Sequence, residues 1–524
     1  MLYLAFIYHM HQPYYKNLLT QETPVPWVRL HGVKDYLDMV KILAKYPKIH
    51  QVFNLVPSLM EQVEDYTRER IKDRFLELSY KPAEELSAQE KEFILERFFS
   101  INKERVIALF PRYYELYLKK HTHKHFDNRD YRDLQVWFNL AWVDPSFRLE
   151  IPELKQAVDK GRFFSEDEKR AVLASHLKIL KEIIPVYRKF VESGQVEVTI
   201  SPYYHPILPL LYNSGLGKEA EPKTVLPKLT FSYPQDAKAH INEAISFFQE
   251  RFGVKPQGMW PSEESVCEHI LPFIIESGIN WIVTDEAILF KSLKKKKRDT
   301  ALLYQPYLLK REEGNLNVVF RDRNLSDLLG FVYHRWNAEA AAADFMGHLK
   351  NTAAAFKNKD ILVTIAMDGE NAWEYYTNDG HDFLNALYKR LSEADFVKAV
   401  TISEYLKDHP ANRDIKRIAA GSWIFGNFFK WIGNPYKNKA WDYLTLARQE
   451  FQAVLEDEGR SRALGEKLDL ARKQIYIAEG SDWFWWYGDN EADFDRLFRM
   501  HMANFYSLIG KETPGYLKEP LRPD

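Results

Sequence analysis

The chain repeats one device. A short apolar run stops abruptly at a polar or charged residue, and a segment of helical period follows. Leu2 to Tyr8 stops at His9, Ile49 to Leu55 carries Asn54 at its end, and Gln195 to Ile200 stops at Ser201. Trp281 to Val283 gives way to Thr284, Asp285 and Glu286, Asn317 to Phe320 to Arg321 and Asp322, and Ile361 to Met367 to Asp368; Val397 to Ile402 closes the series. Runs this short and this uniformly apolar read as parallel strands buried on both faces. Segments such as Asp236 to Phe252 and His381 to Ala394 supply helices between them. The pattern predicts a parallel α/β barrel or sheet with its site where the strands end.

Two stretches break the alternation. Residues 61–192 are charged and helical in pattern, which predicts a helical insertion. From about Asp408 onward only helices are expected, including Lys439 to Asp457, Ala463 to Glu479 and Asp493 to Leu508. At 524 residues the chain exceeds what one core normally holds. We therefore expect a barrel region over 1–405, with the insertion inside it, and a helical region over 406–524.

Charge excludes some partners. With 72 basic and 74 acidic residues the net charge is -2, which gives no reason to expect nucleic acid or an anionic membrane. The basic run Lys294 to Arg298 has no interleaved aromatics and reads as a solvated loop. The single cysteine, Cys267, excludes an intrachain disulfide and a thiolate cluster. The first residues lack the basic segment of a signal peptide, and no apolar run nears the roughly 20 residues that span a bilayer, so a cytoplasmic location is expected. Aromatic residues form 15% of the chain. Most are core filler, but their flat faces also suit the C–H face of a sugar ring.

Three motifs sit where apolar runs end. His9-Met10-His11-Gln12-Pro13 places two histidines on one face of a continuing strand. Such a pair can bind a metal, donate to a ligand, or lie satisfied in a core; no further ligands are evident nearby in sequence, so no metal is expected. Gly258-Met259-Trp260-Pro261-Ser262-Glu263-Glu264 turns sharply and presents carboxylates. One glutamate can enter a site while the other caps a following helix, although helix N-termini attract acids without any function. Met367-Asp368-Gly369-Glu370-Asn371-Ala372-Trp373 ends a strand in an Asp-Gly turn, a common structure by itself. Together, two acids on different strand ends match what glycoside hydrolysis needs: one to attack or assist water, one to hand over a proton.

These motifs resemble glycoside hydrolase family 57, most closely its α-amylase and amylopullulanase branch. The resemblance rests on His11-Gln12-Pro13, Gly194 to Glu197 with Tyr204 to Leu208, Trp260-Pro261-Ser262-Glu263 and Asp368-Gly369-Glu370-Asn371. It continues through Arg321 to Asp327, Gly421-Ser422-Trp423, Gly426 to Phe428, Trp431 to Pro435 and Gly480 to Tyr487. It implies an incomplete (β/α)7 barrel with a helical region helping to form the cleft. It also implies retaining cleavage of α-glucosidic bonds in glucans or maltooligosaccharides without a cofactor. Glu263 then matches the nucleophile and Asp368 the general acid/base, with their carboxyls about 5–5.5 Å apart for such a route. His11, His205, Trp260 and Trp423 match sugar-contacting positions. Gln12, Arg321, Asp322, Glu370, Trp373, Asn427, Trp431, Asp482 and Trp486 complete the expected substrate set. For Arg321 the competing reading is an ion pair to Asp322 or Asp327, and for Trp483 to Tyr487 a division between core and cleft.

The chain lacks the Leu-Pro-Glu-Cys of branching-type members. Whether water or another sugar takes the glucosyl group stays open, as does cleavage of α-1,6 besides α-1,4 links. A 4-α-glucanotransferase, a metal-dependent deacetylase or mannosidase, and a glycan-binding module are the competing readings. Oligomeric state is not encoded in any motif.

Overall fold

The computed structural model describes residues 1–487 and 492–521. Its centre is built by seven parallel strands: β1 (Leu2–Met10), β2 (Gln51–Leu55), β3 (Val196–Thr199), β4 (Gly258–Met259), β5 (Trp281–Asp285), β6 (Gly314–Arg321) and β7 (Ile361–Asp368). Both faces of β1 are buried along almost its whole length, which explains its unbroken apolar sequence. The strands pair in the order β3-β2-β1-β7-β6-β5-β4. A bridge between Ile200 and Met259, with the Trp260 amide donating to the Ile200 carbonyl at 2.8 Å, brings β4 back against β3. β6 and β7 share a single residue pair, Arg321 with Thr364, so this junction and the bridge between β3 and β4 are the narrow points of the ring. The expected incomplete (β/α)7 barrel is therefore the observed fold.

Two strand expectations need correction. Val397 to Ile402 is a strand only over Val397–Ala399, paired to Leu2–Leu4 at the bottom of β1. Thr401 then caps the helix Ile402–Asp408, so this run delivers nothing to the strand C-termini. Tyr307–Arg311, which the sequence pattern did not suggest, forms an antiparallel hairpin with β6. Residues 61–192 are helical as expected, with long members at Asn128–Trp142 and Glu166–Glu192. The C-terminal part is not helices only: residues 409–434 are mainly irregular, and helices resume with Pro435–Glu456 and Glu466–Ala478. Among the described residues no helix is long and apolar enough to cross a membrane.

Irregular segments tie the C-terminal part to the barrel rim. Gly421 bridges Val266 just past β4, and Gly480 bridges Pro206 just past β3. At Gly421 the fit leaves no room for a side chain: an added Cβ would lie 2.3 Å from the Gly426 carbonyl oxygen, at a backbone φ of +157°. Gly347, inside the helix Ala338–Ala355, meets nothing within 4 Å. Chemical denaturation should separate the two positions. Gly421→Ala is expected to lose about 1–3 kcal/mol, whereas Gly347→Ala gains about 0.5–1 kcal/mol.

Candidate active site

Four of the barrel strands hand a polar group to the same rim. His9 ends β1, Asn54 ends β2, Arg321 ends β6 and Asp368 ends β7. These groups first satisfy one another, as buried polar atoms must. His9 Nδ1 lies 2.6 Å from Asn54 Oδ1, the Asn54 amide donates to Thr199, and Ser201 donates to Asn54 and to the Trp260 carbonyl.

Three imidazoles stack on this floor. The His9 ring lies 4.8 Å from the Trp260 ring at 14°, and His205 packs 4.9 Å from His9 and 4.1 Å from His11. Burial holds His9 down to about 3 and His205 well below the usual histidine range, so both stay neutral and act through hydrogen bonds. His11 Nε2 contacts both Asp482 oxygens at 2.9 and 3.0 Å. His205 Nδ1 lies 3.0 Å from Ser481 Oγ and 4.0 Å from Glu263 Oε1. His205 Nε2 has no hydrogen-bond partner among the described residues.

The two acids arrive by different local devices. After Trp260-Pro261 the chain makes a tight turn in which Glu263 and Glu264 both take left-handed backbone angles, φ 58° and 51°. Adjacent non-glycine residues in that region are strained, and the surrounding packing must hold them. The turn aims Glu263 into the cleft, where the Trp423 indole Nε1 donates to Oε2 at 2.8 Å. Glu264 caps no helix. It is fully buried with neither oxygen hydrogen-bonded among the described residues, and burial pushes its carboxyl up. At the end of β7, Gly369 donates to the His9 carbonyl at 2.7 Å, and an added Cβ would meet Met10 Sδ at 2.5 Å. Glycine there lets β7 close against β1 and sets Asp368 on the rim, where Asn371 Nδ2 donates to it at 3.4 Å.

Burial dominates the titration of both acids. It pushes Glu263 up to about 8, opposed by the Trp423 N–H and Lys430, and helped by the like charges of Asp368 and Asp482. Burial also raises Asp368, with Asn371, His11 and Arg321 pulling the other way.

Of the expected substrate residues, the structure brings His11, His205, Trp260, Trp423, Arg321 and Asp482 around Glu263 and Asp368. Arg321 makes the ion pair weighed for it. It pairs with Asp327 at 2.6 Å and donates to the Ala366 carbonyl, while its guanidinium stands 5.5 Å over Trp423. Other members are used for packing instead. Asp322 is buried, caps Arg323–Asp327, and accepts from Tyr304 and Arg298. Trp373 is buried and donates to the Gly369 carbonyl, propping the Asp368 loop from behind. Gln12 accepts from Tyr15, Asn427 caps the Phe429 amide, and Trp431 is fully buried. Glu370 is buried behind Asp368, and Trp486 stacks on Phe494 at 5.2 Å. The sequence reading did not place Asn54, Ser481 or Asn371 in the site. Their signal is contact across the fold, not local pattern.

Among the described residues, two groups have possible metal-ligand atoms within 4.8 Å of one another: His11, His205 and Asp482 in the cleft, and Asp38, Asp144 and His381 outside it. The first is the imidazole-carboxylate chemistry that zinc uses. In the second, Lys34 already supplies positive charge through Asp35 and Asp379.

Comparison with known proteins agrees with this geometry. A model described as Glycosyl hydrolase family 57 matches residues 5–417. Over 129 residues the chain is 29% identical to Alpha-amylase 1 of Dictyoglomus thermophilum, a stretch that spans 25% of this chain and only 15% of that relative. The fold is similar to a branching enzyme of Pyrococcus horikoshii, with TM-score 0.63 and 18% identity over 97% of this chain and 89% of the other. It is also similar to a branching enzyme of Thermococcus kodakaraensis, with TM-score 0.64 and 16% identity over 99% and 93%. At such identities those two likenesses speak for the fold, while the family model spans most of the chain and both acids. This chain belongs to glycosyl hydrolase family 57.

Proposed function

We propose that the chain is a retaining glycosidase acting on α-1,4-glucosidic bonds of starch-like glucans or maltooligosaccharides, with Glu263 as nucleophile and Asp368 as general acid/base. One observation carries this reading: two buried acids from different strand ends share a cleft, and only Glu263 has a close indole N–H on its oxygen. A donor at 2.8 Å favours the ionised form of Glu263 that attack requires, against the pull of its burial. Asp368, raised by burial and met by a single amide at 3.4 Å, is assigned the role of proton donor. Glu263 then attacks the anomeric carbon while Asp368 protonates the departing oxygen. Asp368, now ionised, deprotonates water, which displaces Glu263 from the sugar.

The supporting parts follow from the same geometry. Neutral His205, His11 paired to Asp482, and Arg321 present N–H groups toward sugar hydroxyls, and Trp423 and Trp260 build the apolar floor. We assign the barrel with its insertion to residues 1–405 and the cleft-completing region to 406–524, because Trp423, Ser481 and Asp482 reach the acids from there. No step passes through a metal, so dialysis against a chelator should leave the rate unchanged. Loss of activity would favour a metal-centred reading at His11, His205 and Asp482 instead.

Activity on soluble starch and maltooligosaccharides tests the roles. Glu263→Gln should lower kcat by more than about 1,000-fold, and Asp368→Asn by about 100- to 10,000-fold, with circular dichroism unchanged. Near-wild-type turnover in either variant would sink the assignment.

The pH dependence tests the electrostatics. The acidic limb of kcat/KM reports ionisation of the nucleophile Glu263, so it should lie above the ordinary carboxylate range. Trp423→Phe removes the donor that favours the carboxylate, so that limb should move to higher pH.

Stability gives an independent check. Between the ordinary Glu value, about 4.3, and about 8, the folded chain holds a proton at Glu263 that the unfolded chain has lost. Stability therefore falls as pH rises through this window. Glu263→Gln removes that loss: its thermal midpoint should exceed the wild type near pH 8, and the gain should vanish near pH 4.

A further inference from the structure

Asp38, Asp144 and His381 meet outside the cleft, and each is delivered by a different part of the chain. Asp38 lies on the helix Asp35–Lys41 after β1, and Asp144 joins the insertion helices Asn128–Trp142 and Pro145–Glu150. His381 opens the helix His381–Glu393 beyond β7. Its approach is unusual: Asn378, Asp379 and Gly380 take left-handed backbone angles in succession, φ 51°, 53° and 78°. Burial is deep, since the Asp38, Asp144 and His381 side chains keep 6%, 0% and 14% of their surface. The exposed part of His381 leaves a way in from solvent.

Charge is not balanced at this meeting point. Lys34 is engaged by Asp35 and Asp379, and the second Asp35 oxygen lies 2.7 Å from His31 Nδ1. Arg148, the other cation facing Asp144 and Asp379, donates to the Ala141 carbonyl at 3.1 Å. Asp144 Oδ1 accepts from the Ser146 amide at 2.8 Å and from its hydroxyl. That fixes the carboxylate and leaves Oδ2 for His381 Nε2 at 2.6 Å. Asp38 has least. Its Oδ1 is buried with no hydrogen-bond partner among the described residues, and its Oδ2 stands 3.8 Å from the same His381 Nε2. Buried polar atoms need partners. With His31 and His381 neutral, the carboxylates of Asp35, Asp38, Asp144 and Asp379 face only Lys34 and Arg148, an excess of two negative charges.

The spacing suits a small cation. Zinc holds nitrogen and oxygen ligands at about 2.0–2.2 Å, which sets ligand atoms about 3.3 Å apart in a tetrahedron. His381 Nε2 lies 2.6 Å from one acid and 3.8 Å from the other, so movements of under about 1 Å bring both to that value. Calcium takes about six to eight oxygens, more than this group offers, and an imidazole favours a transition metal.

We propose that Asp38, Asp144 and His381 form a structural site for a divalent transition-metal ion, with Zn²⁺ the best match. The ion clamps the insertion and the start of the barrel to the segment beyond Asp368. On entry it replaces the proton at His381 Nε2, and its two charges offset the two surplus carboxylates. The site lies outside the cleft, so the ion holds the fold together and takes no part in the reaction.

The test strips the full, tag-free chain with a chelator and dialyses it against Zn²⁺ or Ca²⁺. Elemental analysis should find one Zn²⁺ per chain and no Ca²⁺. Zn²⁺ should raise the thermal midpoint and chelator should reverse the rise, with initial rates well below the midpoint the same in both states. X-ray absorption at the zinc edge of the wild type should show a single imidazole, where the cleft group of His11, His205 and Asp482 would give two. Asp38→Asn keeps the shape and removes an unpaired buried charge, so without metal it should be at least as stable as the stripped wild type. It should weaken Zn²⁺ binding more than about 100-fold and abolish the midpoint gain, as should His381→Gln. His11→Gln should leave Zn²⁺ retention unchanged. A wild type that retains no Zn²⁺ overturns the site, because protons on Asp38 and His381 then suffice. Two imidazoles at the zinc edge, or Zn²⁺ lost in His11→Gln but kept in Asp38→Asn and His381→Gln, overturn it in favour of the cleft.

Discussion

The contact between Trp423 and Glu263 is the joint on which the site depends. The indole N–H reaches one carboxylate oxygen, the Trp423 amide donates to the Glu263 carbonyl at 3.2 Å, and Gly421 bridges Val266 two residues away. These bonds fix a strained turn that the residues of β4 would not hold alone. They also fasten the C-terminal part to the barrel rim. A second fastening, Ser481 to His205 through both backbone and side chain, does the same one strand away. The cleft is therefore not a groove in the barrel but the seam between two parts of one chain.

That seam explains why the titratable groups behave as they do. Closing it removes water from Glu263, Asp368, His9 and His205 together. Desolvation then opposes every charge at once, which raises the acids and lowers these two histidines. A site built this way favours protonated carboxyls and imidazoles that donate or accept without charge. The arrangement is unfavourable for folding at alkaline pH and favourable for proton transfer between fixed partners.

Much of this was legible in the sequence because the barrel writes itself locally. A buried parallel strand must be apolar throughout, so its polar end announces the rim, and Asp368 and His9 stand out for that reason. Trp260-Pro261-Ser262-Glu263 is legible as a turn, though not which glutamate faces the cleft, since that depends on two left-handed residues held by distant packing. Membership of a motif did not separate contact from support. Trp373, Asp322 and Trp431 sit in the same stretches as cleft residues but point into the packing, and only the fold distinguishes them. The grouping of His11 with Asp482 was equally invisible, because 471 positions separate them.

The same reasoning bears on where selectivity resides. Glu263, Asp368 and the histidine floor come from strand ends and from residues fastened to them, where small displacements would break several hydrogen bonds together. Phe331 and Tyr375 lie on loops beyond β6 and β7, which share a single residue pair, and these loops are braced by Arg105 from the insertion. Chemistry thus occupies the rigid part of the rim, and these exposed rings occupy the part that can change without disturbing it. Two chains with identical acids can then differ in product through one loop.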